Sequence, residues 1–222
     1  MVIFHGSEKI IESPVFGYGK KHNDYGIGFY CTENRNLAME WAVEINRDGY
    51  ANKYDLNTKG LSIMDLTDEK YNVLNWIAIL LGNRDFSINS PVAKESKKFL
   101  LENYLPDYTN YDVIRGYRAD DSYFAFAKDF LNNAISVQQL SRAMKYGNLG
   151  EQIVLKSEKA FDRIIFQESE VAYSQIWYPQ KESRDVIARQ QYFNENKNAF
   201  KKGEIYMLKI LEEEIMADDL RI

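Results

Sequence analysis

The chain of 222 residues has one cysteine, Cys31, two histidines and four prolines. A single cysteine excludes an intrachain disulfide. Two histidines and one cysteine also cannot build an ordinary zinc site without carboxylates, so no metal site is expected. There is no excess of positive charge: the formal net charge is -5. With no basic stripe, a nonspecific grip on nucleic-acid phosphates is not expected. Lys20, Lys21 and His22 form one short basic cluster, which reads as a solvated loop. The N-terminus, MVIFHGSEKI, has no basic segment followed by an apolar run, so no signal peptide is expected. The longest apolar stretch, around Trp76 to Leu81, is too short to span a membrane. These absences lead to the expectation of a cytoplasmic protein with no membrane partner.

Several catalytic motifs are missing as well. Gly17-Tyr18-Gly19 and Gly26-Ile27-Gly28 each lack the third glycine of a dinucleotide fingerprint. The second also leads into a strand-like run, Phe29-Tyr30-Cys31, where a fingerprint must open a helix. Walker, HExxH and GxSxG patterns do not occur. Cys31, a lone cysteine in a strand, reads as a small buried hydrophobe and not as a nucleophile.

What is present is aromatic and ordered in short pieces, with 16 tyrosines in the chain. Val2 to His5 reads as a strand that stops at Gly6-Ser7, and residues 13 to 28 as a long loop. Phe29 to Cys31 is a strand. Thr32 or Asn34 caps a helix over Leu37, Ala38, Trp41, Ala42 and Ile45, which recur at helical spacing. Leu61 to Leu66, Tyr111 to Ile114, Glu151 to Lys156 and Ile164 to Phe166 read as strands. Tyr71 to Leu81, Val92 to Tyr104, Phe124 to Ala134 and Val137 to Met144 read as helices, with Ser90 and Ser136 as caps. From about Pro179 the character changes to charged helices over 182 to 200 and 204 to 214. The expected class is α+β, with helices covering a mostly antiparallel sheet.

Three segments stand out together: Phe4-His5-Gly6-Ser7 at the end of a strand; Gly26-Ile27-Gly28-Phe29-Tyr30-Cys31-Thr32, followed by Ala38 and Trp41; and Gly150-Glu151-Gln152-Ile153-Val154-Leu155, a strand that starts on a carboxylate. In order, strand context and local spacing they resemble the histidine–tyrosine–glutamate branch of the ADP-ribosyltransferases, the diphtheria-toxin and poly(ADP-ribose) polymerase type. Asn23-Asp24-Tyr25, Ala119-Asp120-Asp121 and Lys156-Ser157-Glu158-Lys159-Ala160 add a closer likeness to a bacterial family of unknown function placed in that superfamily. The resemblance covers about residues 1 to 170 and implies a domain over 1–175 in which two small, mostly antiparallel sheets form an NAD cleft, with helices covering one side; the tail, 176–222, lies beyond it and reads as a helical extension packed on that domain.

The resemblance implies NAD as substrate, with no metal. Glu151 matches the carboxylate that stabilises positive charge growing on the ribose as the nicotinamide bond breaks. Tyr30 and Trp41 match the two aromatics that stack on the flat, cationic nicotinamide. His5 matches the histidine that holds the adenosine ribose, and Gly6 the position whose backbone reads the carboxamide. Ser7 and Ala38 fall within the same cofactor-binding motifs. Ala38 stands where the polymerases carry a serine, and Gln152 replaces the aromatic after the glutamate. Leu149 stands where the arginine-modifying branch needs Glu or Gln, which argues against arginine as acceptor.

The expected activity is mono-ADP-ribosyl transfer to a protein or nucleic-acid acceptor by a toxin-like enzyme. NAD glycohydrolase, a catalytically silent NAD- or ADP-ribose-binding module, and an interaction protein docking through its charged tail remain open beside it. The tail segment with Arg184, Val186, Ile187, Arg189, Tyr192, Phe193 and Lys197 reads as a helix packed on the domain. The alternative is a docking element for a cognate inhibitor protein.

Overall fold

A computed structural model describes residues 1–85, 87–119, 121–148, 150–196 and 200–219. Asp120, Leu149 and Lys197, and the side chain of Asp121, lie outside the described residues. The chain is α+β, with two small open sheets and several helices. The first sheet has the order β1-β3-β7, from Val2–Ser7, Gly49–Leu56 and Ile164–Ala172. The second has the order β2-β6-β5-β4, from Phe29–Cys31, Glu151–Leu155, Val113–Tyr117 and Ile63–Asp65. Every pairing is antiparallel except β4 with β5.

Strand alternation sorts the side chains into layers. From the second sheet, Phe29, Cys31, Val113, Ile153 and Leu155 meet Ile3, Tyr54 and Leu56 of the first, so the two sheets share an inner core. The opposite face of the second sheet carries Met64, Ile114 and Val154. It is covered by α2 (Val73–Asn83), α3 (Pro91–Asn103), α4 (Asp121–Leu131) and α5 (Val137–Ala143). Helix α2 is apolar nearly all round, as a central helix must be, and Val73 to Leu81 are all buried. The outer face of the first sheet receives α1 (Arg35–Ala42) through Phe4, Ala38, Met39, Ala42, Ala51 and Ala172.

Local chemistry sets several boundaries. The Asn34 side chain accepts from the backbone amides of Asn36 and Leu37 and starts α1 there. Helix α1 stops at Ala42, so Ile45, expected on its apolar face, lies beyond it and is exposed. Ser90 and Ser136 cap α3 and α5, as their positions predict. Two features depart further from expectation. Strand β3 has a polar sequence, GYANKYDL, yet it is the central strand of its sheet. The helix at the tail, α7, runs over Ser174–Asn196 and begins before Pro179. Pro179 is its sixth residue and lies inside the helix, where it removes the amide that would donate to the Gln175 carbonyl. Helices α6 (Glu158–Phe161) and α8 (Met207–Glu212) complete the chain, and Met207 and Ile210 of α8 are buried in the helical core. Among the described residues, no helix is long and apolar enough to cross a membrane.

Candidate functional site

The ends of β1 and β2 and one side of α1 border a cavity of about 1140 Å³. This is at or above the upper end of the usual range for small-molecule sites. His5, Gly6, Ser7, Tyr30 and Trp41, distant in sequence, all line it. Each is set by its element. His5 lies on β1 with its ring stacked on Phe29, centroids 4.3 Å apart. Ser7 is held by Asn52, a fully buried residue of β3 whose amide donates to Ser7 Oγ at 3.0 Å and whose oxygen accepts from the Ile11 amide. The Tyr30 hydroxyl donates to the Gly26 carbonyl at 2.6 Å and accepts from the Tyr25 amide at 3.1 Å, which fastens the loop to β2. Burial also pushes the Tyr30 hydroxyl pKa up, so it stays protonated.

His5 Nδ1 lies 2.7 Å from the Tyr30 carbonyl oxygen. A carbonyl only accepts, so Nδ1 carries the proton and Nε2 is left as an acceptor. Burial lowers the His5 pKa below 6.5 and keeps the ring neutral, against a smaller opposing effect of the Tyr30 hydrogen bond. An unfolded chain takes up a proton near pH 6.5 that the folded His5 resists. Stability is therefore complete above that pH and falls as the pH drops from 6.5 towards the depressed folded value. The fall in urea midpoint between pH 7.5 and 5.5 should be smaller in His5→Gln than in the wild type. Equal falls would show that His5 is not held neutral by burial.

Packing requires a glycine at position 6. A Cβ there would overlap the Ala38 carbonyl oxygen and sit 2.8 Å from the Ala42 amide nitrogen, where β1 crosses α1. Gly6→Ala should destabilise the fold by about 2–3 kcal/mol, the usual cost of overpacking, and lower the melting temperature accordingly. A melting curve equal to that of the wild type would refute the close approach. Ala38, expected among the NAD-binding positions, is fully buried under that crossing and is not among the cavity-lining residues. Its small side chain packs α1 on the sheet.

Glu151 is likewise absent from the lining, although its neighbour Gln152 is part of it. Alternation along β6 sends Glu151 to the side of the sheet opposite Gln152. There its carboxylate accepts from Arg115 Nε at 2.7 Å. The same guanidinium lies 3.2 Å from Glu33 and 3.9 Å from Asp65.

Several residues of the cavity have no role assigned to them by the sequence. Asp24, buried, accepts from the Ala119 amide at 2.9 Å and from Gln152 at 3.0 Å, with Arg84 at 3.7 Å. Burial raises its pKa, and the hydrogen bonds and nearby arginines oppose the rise. The guanidinium of Arg118 sits 4.8 Å from the centre of the Trp41 ring. One ring face therefore already carries a cation. Another wall comes from α7: Tyr178, Lys181 and Arg184 line the cavity. Arg184 Nε donates to both carboxylate oxygens of Glu40, at 2.9 and 2.7 Å, and Glu40 is 2 % exposed. Spacing in the sequence could not have shown this pair, because its members lie on α1 and in the tail.

The fold and cavity define an α+β protein with an open pocket of mixed charge and aromatic character. The chain belongs to the family described as "Protein of unknown function (DUF3990)", whose model matches residues 1–166. No curated protein and no solved structure matches it. Helix α7, which walls the cavity, lies beyond the matched stretch.

Proposed function

We propose that the chain binds NAD in this cavity and transfers its ADP-ribose to a protein or nucleic-acid acceptor. The observation that carries the reading is the convergence of His5, Tyr30 and Trp41, from three separate segments, on one cavity large enough for a dinucleotide. Neutral His5 offers Nε2 to a ribose hydroxyl. The rings of Tyr30 and Trp41 provide surfaces for a flat heterocycle. Glu151, held by Arg115 outside the cavity lining, is the carboxylate this reading assigns to stabilising positive charge on the ribose as its bond to nicotinamide breaks. The bonding electron pair leaves with nicotinamide, now neutral, and the acceptor forms the new bond to the ribose carbon and gives up its proton.

The test uses the full chain with NAD labelled in its adenylate half and a cell lysate. Nicotinamide release together with label on a macromolecule supports transfer. Nicotinamide release with label only in free ADP-ribose makes water the acceptor and the protein a glycohydrolase. NAD binding with no nicotinamide release leaves a binding module, and no binding at all refutes the reading.

A further inference from the structure

The cavity contains a buried polar group whose chemistry is only half satisfied. Gln152 lines it and is 5 % exposed. Its amide nitrogen donates to Asp24 Oδ2 at 3.0 Å. The same oxygen accepts from the backbone amide of Ala119, an obligate donor, so it acts as an acceptor and fixes the Gln152 amide with its nitrogen towards Asp24 and its oxygen, Oε1, away from it. That oxygen is buried and has no partner among the described residues. The indole nitrogen of Trp41, a donor, is also buried without a partner among them. One run of contacts joins the two. Arg118 lies over the Trp41 ring, the next residue, Ala119, donates its amide to Asp24, and Asp24 holds Gln152. A buried acceptor and a buried donor on two residues that line one cavity are costly unless an occupant of that cavity pairs with them.

We infer that Gln152 Oε1 and Trp41 Nε1 read a donor–acceptor edge on the ligand: an NH₂ group beside a carbonyl oxygen or a ring nitrogen. The inference rests on the dinucleotide reading above, because NAD carries such an edge twice, in its carboxamide and on its adenine. It makes Gln152 a specificity-determining residue, distinct from the groups that contact the ribose.

The test measures calorimetric affinities of the full chain for three probes. These are NAD, nicotinic acid adenine dinucleotide (carboxylate for amide) and nicotinamide hypoxanthine dinucleotide (carbonyl for adenine amine). One of the two analogues should bind the wild type at least ten-fold more weakly than NAD, and which one it is identifies the edge being read. In Gln152→Leu that gap should shrink to about three-fold or less, while the gap for the other analogue stays unchanged. Trp41→Phe, which keeps the ring and removes the N–H, should narrow the same gap and stands in if Gln152→Leu does not fold. Gaps equal in wild type and variants, or a wild type that binds all three alike, would overturn the inference and leave NAD binding standing. A wild type that binds none of the three would remove the dinucleotide reading and this inference with it.

Discussion

Glu151→Gln should cut nicotinamide release about 100-fold or more while leaving NAD affinity within a factor of about two. The substitution keeps size and one acceptor oxygen but removes the charge. That charge matters most when the ribose carries its greatest positive character, so the loss falls on kcat and not on binding. Electrostatic stabilisation of this kind is typically worth roughly 3 kcal/mol. The fold should survive, because Arg115 keeps Glu33 and Asp65 as partners when the Glu151 charge goes. Melting curves of the two proteins should therefore nearly coincide, which separates a catalytic defect from a folding one. Wild-type turnover in the variant would take the carboxylate out of the chemistry and direct attention to the acidic residues that line the cavity itself.

A chain ending at Tyr173 should lose its cooperative melting transition. The deleted residues include Ala188, Met207 and Ile210, all fully buried, so the cut strips packing from the helical core as well as from the cavity wall. It also removes Arg184 from Glu40. A buried carboxylate that loses its partner is strongly destabilising, by about 3–5 kcal/mol when the burial is complete. Arg184→Met isolates that contribution. Because Arg184 is partly exposed, a loss near the lower end of the range, about 3 kcal/mol, is expected in urea denaturation. A truncated chain with an unaltered melting curve would mean that α7 is only appended to the fold.

Apolar periodicity made much of this architecture legible in the sequence. Strands β1, β2 and β6 and helices α2 to α5 lie close to where their patterns place them, and Ser90 and Ser136 are caps in sequence and structure alike. Strand β3 was not legible. Its Asn52, Lys53 and Asp55 hide the alternation, and Asn52 is buried because it latches β1 to the following loop, a task visible only in three dimensions. The site was legible in the same uneven way. His5, Tyr30 and Trp41 belong to recognisable local motifs and meet at the cavity. Asp24 and Gln152, 128 positions apart, form one hydrogen-bonded unit that no local pattern encodes. In the sequence Pro179 suggests a boundary ahead of the tail helix, whereas α7 begins at Ser174 and carries that proline inside it.

The strand order also has a consequence for how the molecule comes into being. Neighbours in both sheets are far apart along the chain: β2 pairs with β6, and β3 pairs with β7. Pairings of this kind close long loops and are slow relative to local structure. During synthesis, His5, Tyr30 and Trp41 precede the strands that complete their sheets: β2 lacks its β6 partner until residue 155 has emerged, and β3 lacks its β7 partner until residue 172 has followed. Glu40 waits longer still, for Arg184. The growing chain thus carries these three side chains from the synthesis of residue 41 to that of residue 184 before the cavity is complete.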